Sequence, residues 1–164
     1  MDDTLQLAGL PLHPLLVHAV VVITPLVVLA LLLAQVWPAA RRRLGVVTPL
    51  LAGLALVLVP LATERGESLE RAVGESALVE RHAELADGML PWAIGLFVVA
   101  VGLWLLDRRR AGAPADDVSR ARWVPIVAGV LAVVGAVQQI VRVGHAGAAA
   151  TWNGVVSTSS TGGD

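Results

Sequence analysis

Four long apolar runs, separated by short polar stretches, dominate the hydropathy pattern of the chain. Crossing the hydrocarbon core of a bilayer takes about 20 predominantly apolar residues in an α-helix. Four segments meet this requirement, namely residues 15–37, 44–62, 89–106 and 123–143. Prolines within them are compatible with spans, because neighbouring helices recover the backbone groups that a proline frees. The pattern predicts an all-α integral membrane protein whose four spans form a bundle.

The connection between the second and third spans also has a regular pattern. From Ser76 to Ala86, apolar residues and His82 share one helical face and acidic residues share another. We predict a helical extension before the third span, with His82 turned toward the bundle. Residues 1–152 then form a single transmembrane domain, and the small, polar segment 153–164 is predicted to be a disordered tail. The two halves of the chain show no convincing sequence repeat.

Arginine is distributed unevenly among the three connections. The first and third connections are basic and contain Arg41, Arg42, Arg43, Arg108, Arg109, Arg110, Arg120 and Arg122. The second connection carries more acidic than basic residues. Cytoplasmic loops of membrane proteins have an excess of basic residues, so we expect both basic connections to be cytoplasmic. Both termini and the helical extension are then extracytoplasmic in a multi-pass protein of the plasma membrane.

Composition narrows the classes of function. The chain has 164 residues, of which 56% are hydrophobic and 15% charged, with no cysteine and a net charge of −1. The missing cysteines exclude iron–sulfur and thiolate metal sites, and the low net charge argues against nucleic acid as a partner. No nucleophile–base pair, phosphate-binding loop or zinc-protease motif is present, which disfavours an enzyme. Asp2 and Asp3 stand where a cleavable signal peptide is basic, so we expect the first helix to be retained.

The candidate chemical groups are the four histidines of the chain. Counting the helical rise from the cytoplasmic ends of the spans places all four in one layer at the outer face, and they are His13, His18, His82 and His145. His13 and His18 are separated by about 140° around a helix, so at most one of them points into the bundle. We expect this to be His18, which lies deeper in the apolar segment, with His82 as its companion.

A polar stripe on the fourth span adds a charged group to this layer. Gln138, Arg142 and His145 follow one another at helical spacing on an otherwise apolar segment. An ionisable group near the bilayer usually faces a partner or a cavity. The expected partner of Arg142 is a carboxylate of the acidic connection, from Glu64, Glu67 or Glu70. The alternative partner is an anionic cofactor group such as a haem propionate.

Four stretches resemble a known family: LHPLLVH opens the first span, ATERGESLE follows the second, VERHAEL precedes the third and GHAGAAATWNG follows the fourth. They resemble a bacterial family of four-helix membrane proteins of unknown function, over nearly the whole chain. The lysine-free, Ala-, Val- and Arg-rich composition resembles an actinobacterial member. The resemblance implies functional positions at His13, His18, Glu67 and His82, with position 145 more variable. Members are sometimes joined to or encoded beside redox proteins, which implies electron transfer.

Three functions remain open from the sequence. The first is a membrane redox module that holds haem b through histidines of the outer layer, with Arg142 beside a propionate. The second is a structural zinc or copper site, with His13, His18, His82 and Glu67 as its ligands. The third is a non-enzymatic scaffold or assembly subunit of a larger membrane complex. The expected partners are the lipid bilayer and a redox protein or membrane complex, and the sequence leaves open whether the protein is an oligomer.

Overall fold

The structure is a computed structural model that describes residues 6–7, 10–73, 76–110 and 123–159. Its elements are β1 (Gln6–Leu7), β2 (Leu10–Pro11), α1 (Leu12–Val36), α2 (Pro38–Leu44), α3 (Val47–Val73), α4 (Ala77–Asp87), α5 (Met89–Arg110) and α6 (Trp123–Ser159). The two short strands pair antiparallel. All other elements in the described part are helices, and the predicted all-α fold is confirmed.

Four stretches of helix are long and apolar enough to cross a membrane, which confirms the predicted number of spans. Their bounds differ from the prediction at two places that matter for the site. The first span begins at Leu12, so His13 lies within α1. The second span continues beyond residue 62 as α3, which ends only at Val73. The helix pair α1 and α3 therefore extends past the apolar segment at the histidine end.

The first connection contains a short helix that the hydropathy pattern did not predict. Pro38 stands in the first turn of α2, where its missing N–H is not needed. Gly45 ends α2 with a φ of 38°, a backbone conformation that glycine adopts at little cost. The basic residues of this connection are thus presented on an ordered helix.

At the other end of the chain, α6 is longer than the predicted fourth span. It takes in 153–159, the first part of the segment that we expected to be a disordered tail. The rest of that segment, 160–164, lies outside the described residues. Disorder stays a prediction for those last residues alone.

The bundle is a closed ring of helices around a core of small and branched apolar side chains. Helix α1 packs on α3, α3 on α5 and α5 on α6, and α6 closes the ring against α1. The fully or nearly fully buried core includes Val27, Leu31, Ala52, Ala55, Leu96 and Ala136. Alanines at these positions allow helix backbones to approach closely. Close approach favours helix association in a bilayer, where the hydrophobic effect does not drive helices together.

The predicted helical extension is present as α4. The Ser76 side chain caps it by accepting a hydrogen bond from the Val79 N–H. Helix α4 lies against α6 and leads into α5 through Gly88. Its location outside the cytoplasm stays a prediction.

Candidate functional site

His13 links the start of α1 to the far end of α3. Its Nδ1 lies 3.0 Å from the carbonyl oxygen of Ala62. The half-buried ring passes over Gly66, where a Cβ would lie 3.0 Å from the imidazole Cε1. A glycine at this position therefore provides the space that the ring occupies.

His82 makes the same kind of link between α4 and α6. Its Nδ1 lies 3.1 Å from the carbonyl oxygen of Val143. The half-buried ring passes over Gly147, where a Cβ would again lie 3.0 Å from Cε1. This imidazole, too, is hydrogen-bonded to a helix carbonyl and packed against a glycine.

The two histidine sites are equivalent in their construction. In each, the carbonyl and the glycine are four residues apart, so they lie on one face of their helix a turn apart. In each, the histidine comes from the first helix of a pair and the acceptor from the second helix. The two pairs are α1 with α3 and the α4–α5 unit with α6. The halves of the chain repeat one arrangement that their sequences do not reveal.

Both hydrogen bonds determine the tautomer of the imidazole. A carbonyl oxygen can only accept, so Nδ1 carries the proton and Nε2 of the neutral ring keeps its lone pair. Imidazoles that ligate metals commonly have one ring nitrogen fixed in this way by a carbonyl or carboxylate. Each of the two rings therefore keeps an Nε2 lone pair that is available to a ligand.

A buried glutamine fixes the position of His82 further. Gln139 is 8% exposed, and its Nε2 donates to the Leu85 carbonyl oxygen at 2.6 Å. Hydrogen bonds therefore run in both directions between α4 and α6, from His82 to Val143 and from Gln139 back to Leu85. Sequence reasoning missed Gln139 as a member of the site.

The prediction that His18 is the inward-facing ring is wrong. His18 is exposed, and its Nδ1 lies 2.6 Å from the Pro14 carbonyl oxygen of its own helix. His13 takes the inward position instead. The buried Leu31 follows His13 by eighteen residues, about five turns, so the two share a face from which His18 is rotated by about 140°.

The polar stripe of the fourth span lies on the outward face of α6. Gln138, Arg142 and His145 are all exposed. Among the described side chains, Arg142 makes no ion pair, so the expected pairing with Glu64 or Glu67 is not found there. The side chain of the third expected partner, Glu70, lies outside the described residues.

The predicted zinc or copper ligands are not gathered in one place. Within the described part of the chain, no group of three or more histidine, cysteine, aspartate or glutamate side chains could hold a metal ion. Of the four expected ligands, His13 and His82 are inward and half-buried, whereas His18 and Glu67 are exposed. The zinc or copper site stays a prediction.

A polar residue in mid-span and a stripe of small residues are the sequence signals that mark the inward faces. Thr24 is 1% exposed and follows His13 by eleven residues, about three turns, so a polar residue in mid-span marks the face of His13. On α6, Gln139 continues a stripe of small buried residues, Ala132 and Ala136. Gln138 does not. Both inward faces could have been chosen by this criterion.

The geometry of the bundle agrees with the comparison against protein families. No curated protein and no solved structure matches the chain. The family described as "Predicted membrane protein (DUF2231)" matches residues 9–160, a range that includes all four spans and both inward histidines. The chain belongs to the DUF2231 family of predicted membrane proteins.

Proposed function

We propose that this integral membrane protein is a redox module in which His13 and His82 supply two Nε2 ligands to a haem b group. The observation that carries the proposal is the repeated histidine arrangement. Each Nδ1 is bound to a helix carbonyl, which leaves each Nε2 with a free lone pair. A haem iron takes axial nitrogens of this kind in helix bundles.

The residues around the pair support an axial-ligand role. The carbonyls of Ala62 and Val143 orient the rings and raise the basicity of Nε2, as second partners of ligating histidines do. Gln139 holds α4 on α6, so the position of His82 does not depend on a ligand. A bound haem would supply reversible one-electron transfer, and the apolar bundle would tune its potential.

The other predicted cofactor residues take no part in this proposal. His18, His145 and Arg142 are exposed on the surface of the bundle, away from the faces that carry His13 and His82. They serve instead as controls. The two termini and the histidine layer are proposed to lie on the extracytoplasmic side of the plasma membrane, where a redox partner would exchange electrons with the module.

The test is the absorption spectrum of the protein purified after expression with ample haem. We expect a Soret band and, on reduction, the sharp α band of a six-coordinate low-spin haem. His13→Asn and His82→Asn should each lose that spectrum while the protein stays folded. An asparagine amide can still donate to the helix carbonyl, but it has no counterpart of the Nε2 ligand.

The matched controls are His18→Asn and His145→Asn, which change exposed histidines of the same helices or the same layer. They should keep the low-spin spectrum. A colourless wild-type protein would refute the haem proposal. Equal loss in all four variants would refute the assignment of His13 and His82.

A second candidate function is a non-enzymatic scaffold or assembly subunit, and one observation favours it. The same two hydrogen bonds fasten α1 to α3 and α4 to α6 without any ligand. On this alternative, the protein is colourless, His13→Asn is as stable as the wild type, and His13→Leu is destabilised because Ala62 loses a donor. Thermal unfolding of both variants, beside the spectrum, separates the two functions.

A further inference from the structure

A second polar site lies at the opposite end of the bundle from the histidines. A cavity of about 370 Å³ opens between the end of α1, the helix α2, the start of α3 and the end of α5. Its inner wall is apolar and includes the buried Leu31 and Ala100. Its polar lining consists of Arg41, Arg42, Thr48, Asp107 and Arg108.

The charge of this cavity is positive, with three arginines and one carboxylate in its lining. Arg41 is held in place, since its Nε donates to the Ala34 carbonyl at 2.8 Å and its Nη1 lies 3.7 Å from Asp107. Arg108 lies over the Trp104 ring, 4.4 Å from its centroid, and is otherwise exposed. Within the described part of the chain, the exposed Arg42 has no carboxylate partner. Two guanidinium groups remain available to an anion.

A buried hydroxyl in the cavity independently indicates a ligand. Thr48 is 5% exposed, and its Oγ1 has no hydrogen-bond partner among the described residues. Buried polar side-chain atoms are nearly always hydrogen-bonded. An unpaired hydroxyl on the wall of a cavity therefore indicates a hydrogen-bonding partner inside the cavity. A ligand with an oxygen or a hydroxyl group would satisfy it.

We propose that this cavity binds the phosphate group of an anionic membrane lipid. The phosphate lies between Arg42 and Arg108, and the headgroup or its glycerol reaches the Thr48 hydroxyl. Basic pockets between the ends of transmembrane helices recognise anionic headgroups in this way. Ligand pockets commonly measure about 300–1,000 Å³, so 370 Å³ accommodates a headgroup while the acyl chains stay along the apolar outer faces of the helices.

The location of the cavity explains why a lipid is favoured over a soluble phosphate compound. Arg41 and Arg42 follow the first span directly, and Asp107 and Arg108 end the third. These positions place the cavity mouth at the level where a bilayer presents its phosphates. Trp104, which stacks under Arg108, is a residue type enriched at that same boundary.

The test measures thermal unfolding and native mass spectra of the full chain in mild detergent, titrated with phosphatidylglycerol, phosphatidylcholine or inorganic phosphate. Phosphatidylglycerol should raise the unfolding temperature and remain bound, whereas the other two should do neither. Arg42→Gln and Arg108→Gln should each weaken phosphatidylglycerol binding about fivefold, and the double variant about 25-fold. Stabilisation by inorganic phosphate to the same extent would show a free-phosphate site and overturn the lipid proposal.

Two matched variants keep the proposal independent of general charge effects. Arg43→Gln and Arg109→Gln remove exposed arginines from the same connections, but neither residue lines the cavity. They should bind phosphatidylglycerol as the wild type does, and a loss equal to that of Arg42→Gln and Arg108→Gln would overturn the proposal. Thr48→Val should weaken binding without lowering the unfolding temperature in lipid-free detergent, because it removes an unpaired hydroxyl from a side chain of similar shape.

Discussion

At the scale of single residues, two glycines determine whether the inward imidazoles fit against the neighbouring helices. A methyl group on Gly66 or Gly147 would come within 3.0 Å of the ring of His13 or His82, closer than carbon atoms normally approach. Gly66→Ala and Gly147→Ala should therefore displace the rings and break the Nδ1 hydrogen bonds, at a cost of about 1–3 kcal/mol each. Thermal unfolding in detergent and the nitrogen chemical shifts of the two imidazoles measure the effect.

Two other helical glycines, Gly102 of α5 and Gly144 of α6, provide the control for that experiment. A Cβ at Gly102 or Gly144 would meet no atom within 4 Å. Alanine at these positions should stabilise the helices by about 0.5–1 kcal/mol, the usual advantage of alanine over glycine within a helix. If Gly66→Ala and Gly147→Ala are as stabilising as these controls, the close contact between ring and glycine is absent from the protein.

The residue scale also shows where sequence reasoning fails and why. The inward face of His82 follows from the amphipathicity of its helix. The choice of His18 over His13 relied on its apolar neighbours, which in a soluble protein would indicate the interior. In a bilayer, apolar neighbours face lipid as readily as protein, so they carry little information on direction. The buried Thr24, which shares the face of His13, does carry that information.

At the scale of elements, two adjacent glutamines of α6 face in different directions. Gln139 is buried and donates to the Leu85 carbonyl of α4, whereas its neighbour Gln138 is exposed. Gln139→Leu should loosen the attachment of α4 to α6 and cost about 1–3 kcal/mol, because a part-buried carbonyl loses its donor. Gln138→Leu should cost nothing. Hydrogen exchange across 77–87 measures the attachment, and equal protection in both variants would contradict a role for Gln139.

Elements differ in how far the sequence predicts them. The four spans and α4 each have a periodic or continuous apolar pattern and a cap or a length limit, which physical rules translate directly into helices. The short helix α2 has no such apolar pattern, since it is mostly alanine and arginine between Pro38 and Leu44. No single segment of the sequence indicates which helices pack together. The pairing depends on which small faces meet, and those faces are visible only when all four helices are packed together.

At the scale of the whole molecule, the two ends of the bundle carry different chemical groups. The imidazoles and their helix carbonyls lie at the end where α3 and α6 pass beyond the apolar segments, and the arginine-lined cavity lies at the other end. The histidine arrangement occurs once in each half of the chain, so on the proposed function each half would contribute one ligand group. With four spans, the start of α1 and the end of α6 are expected on the histidine side of the membrane. Which side of the membrane this is stays a prediction.

The orientation of the protein can be tested without background, because the chain contains no cysteine. Glu80 is exposed on α4 and Arg43 is exposed on α2, at opposite ends of the bundle. A membrane-impermeant maleimide added to intact cells should label Glu80→Cys and should label Arg43→Cys only after the cells are permeabilised. The physical reason is the concentration of arginine in the first and third connections, which should retain those loops in the cytoplasm even when Arg43 is replaced. The reverse labelling pattern would invert the orientation, and labelling of both variants in intact cells would contradict the four-span topology itself.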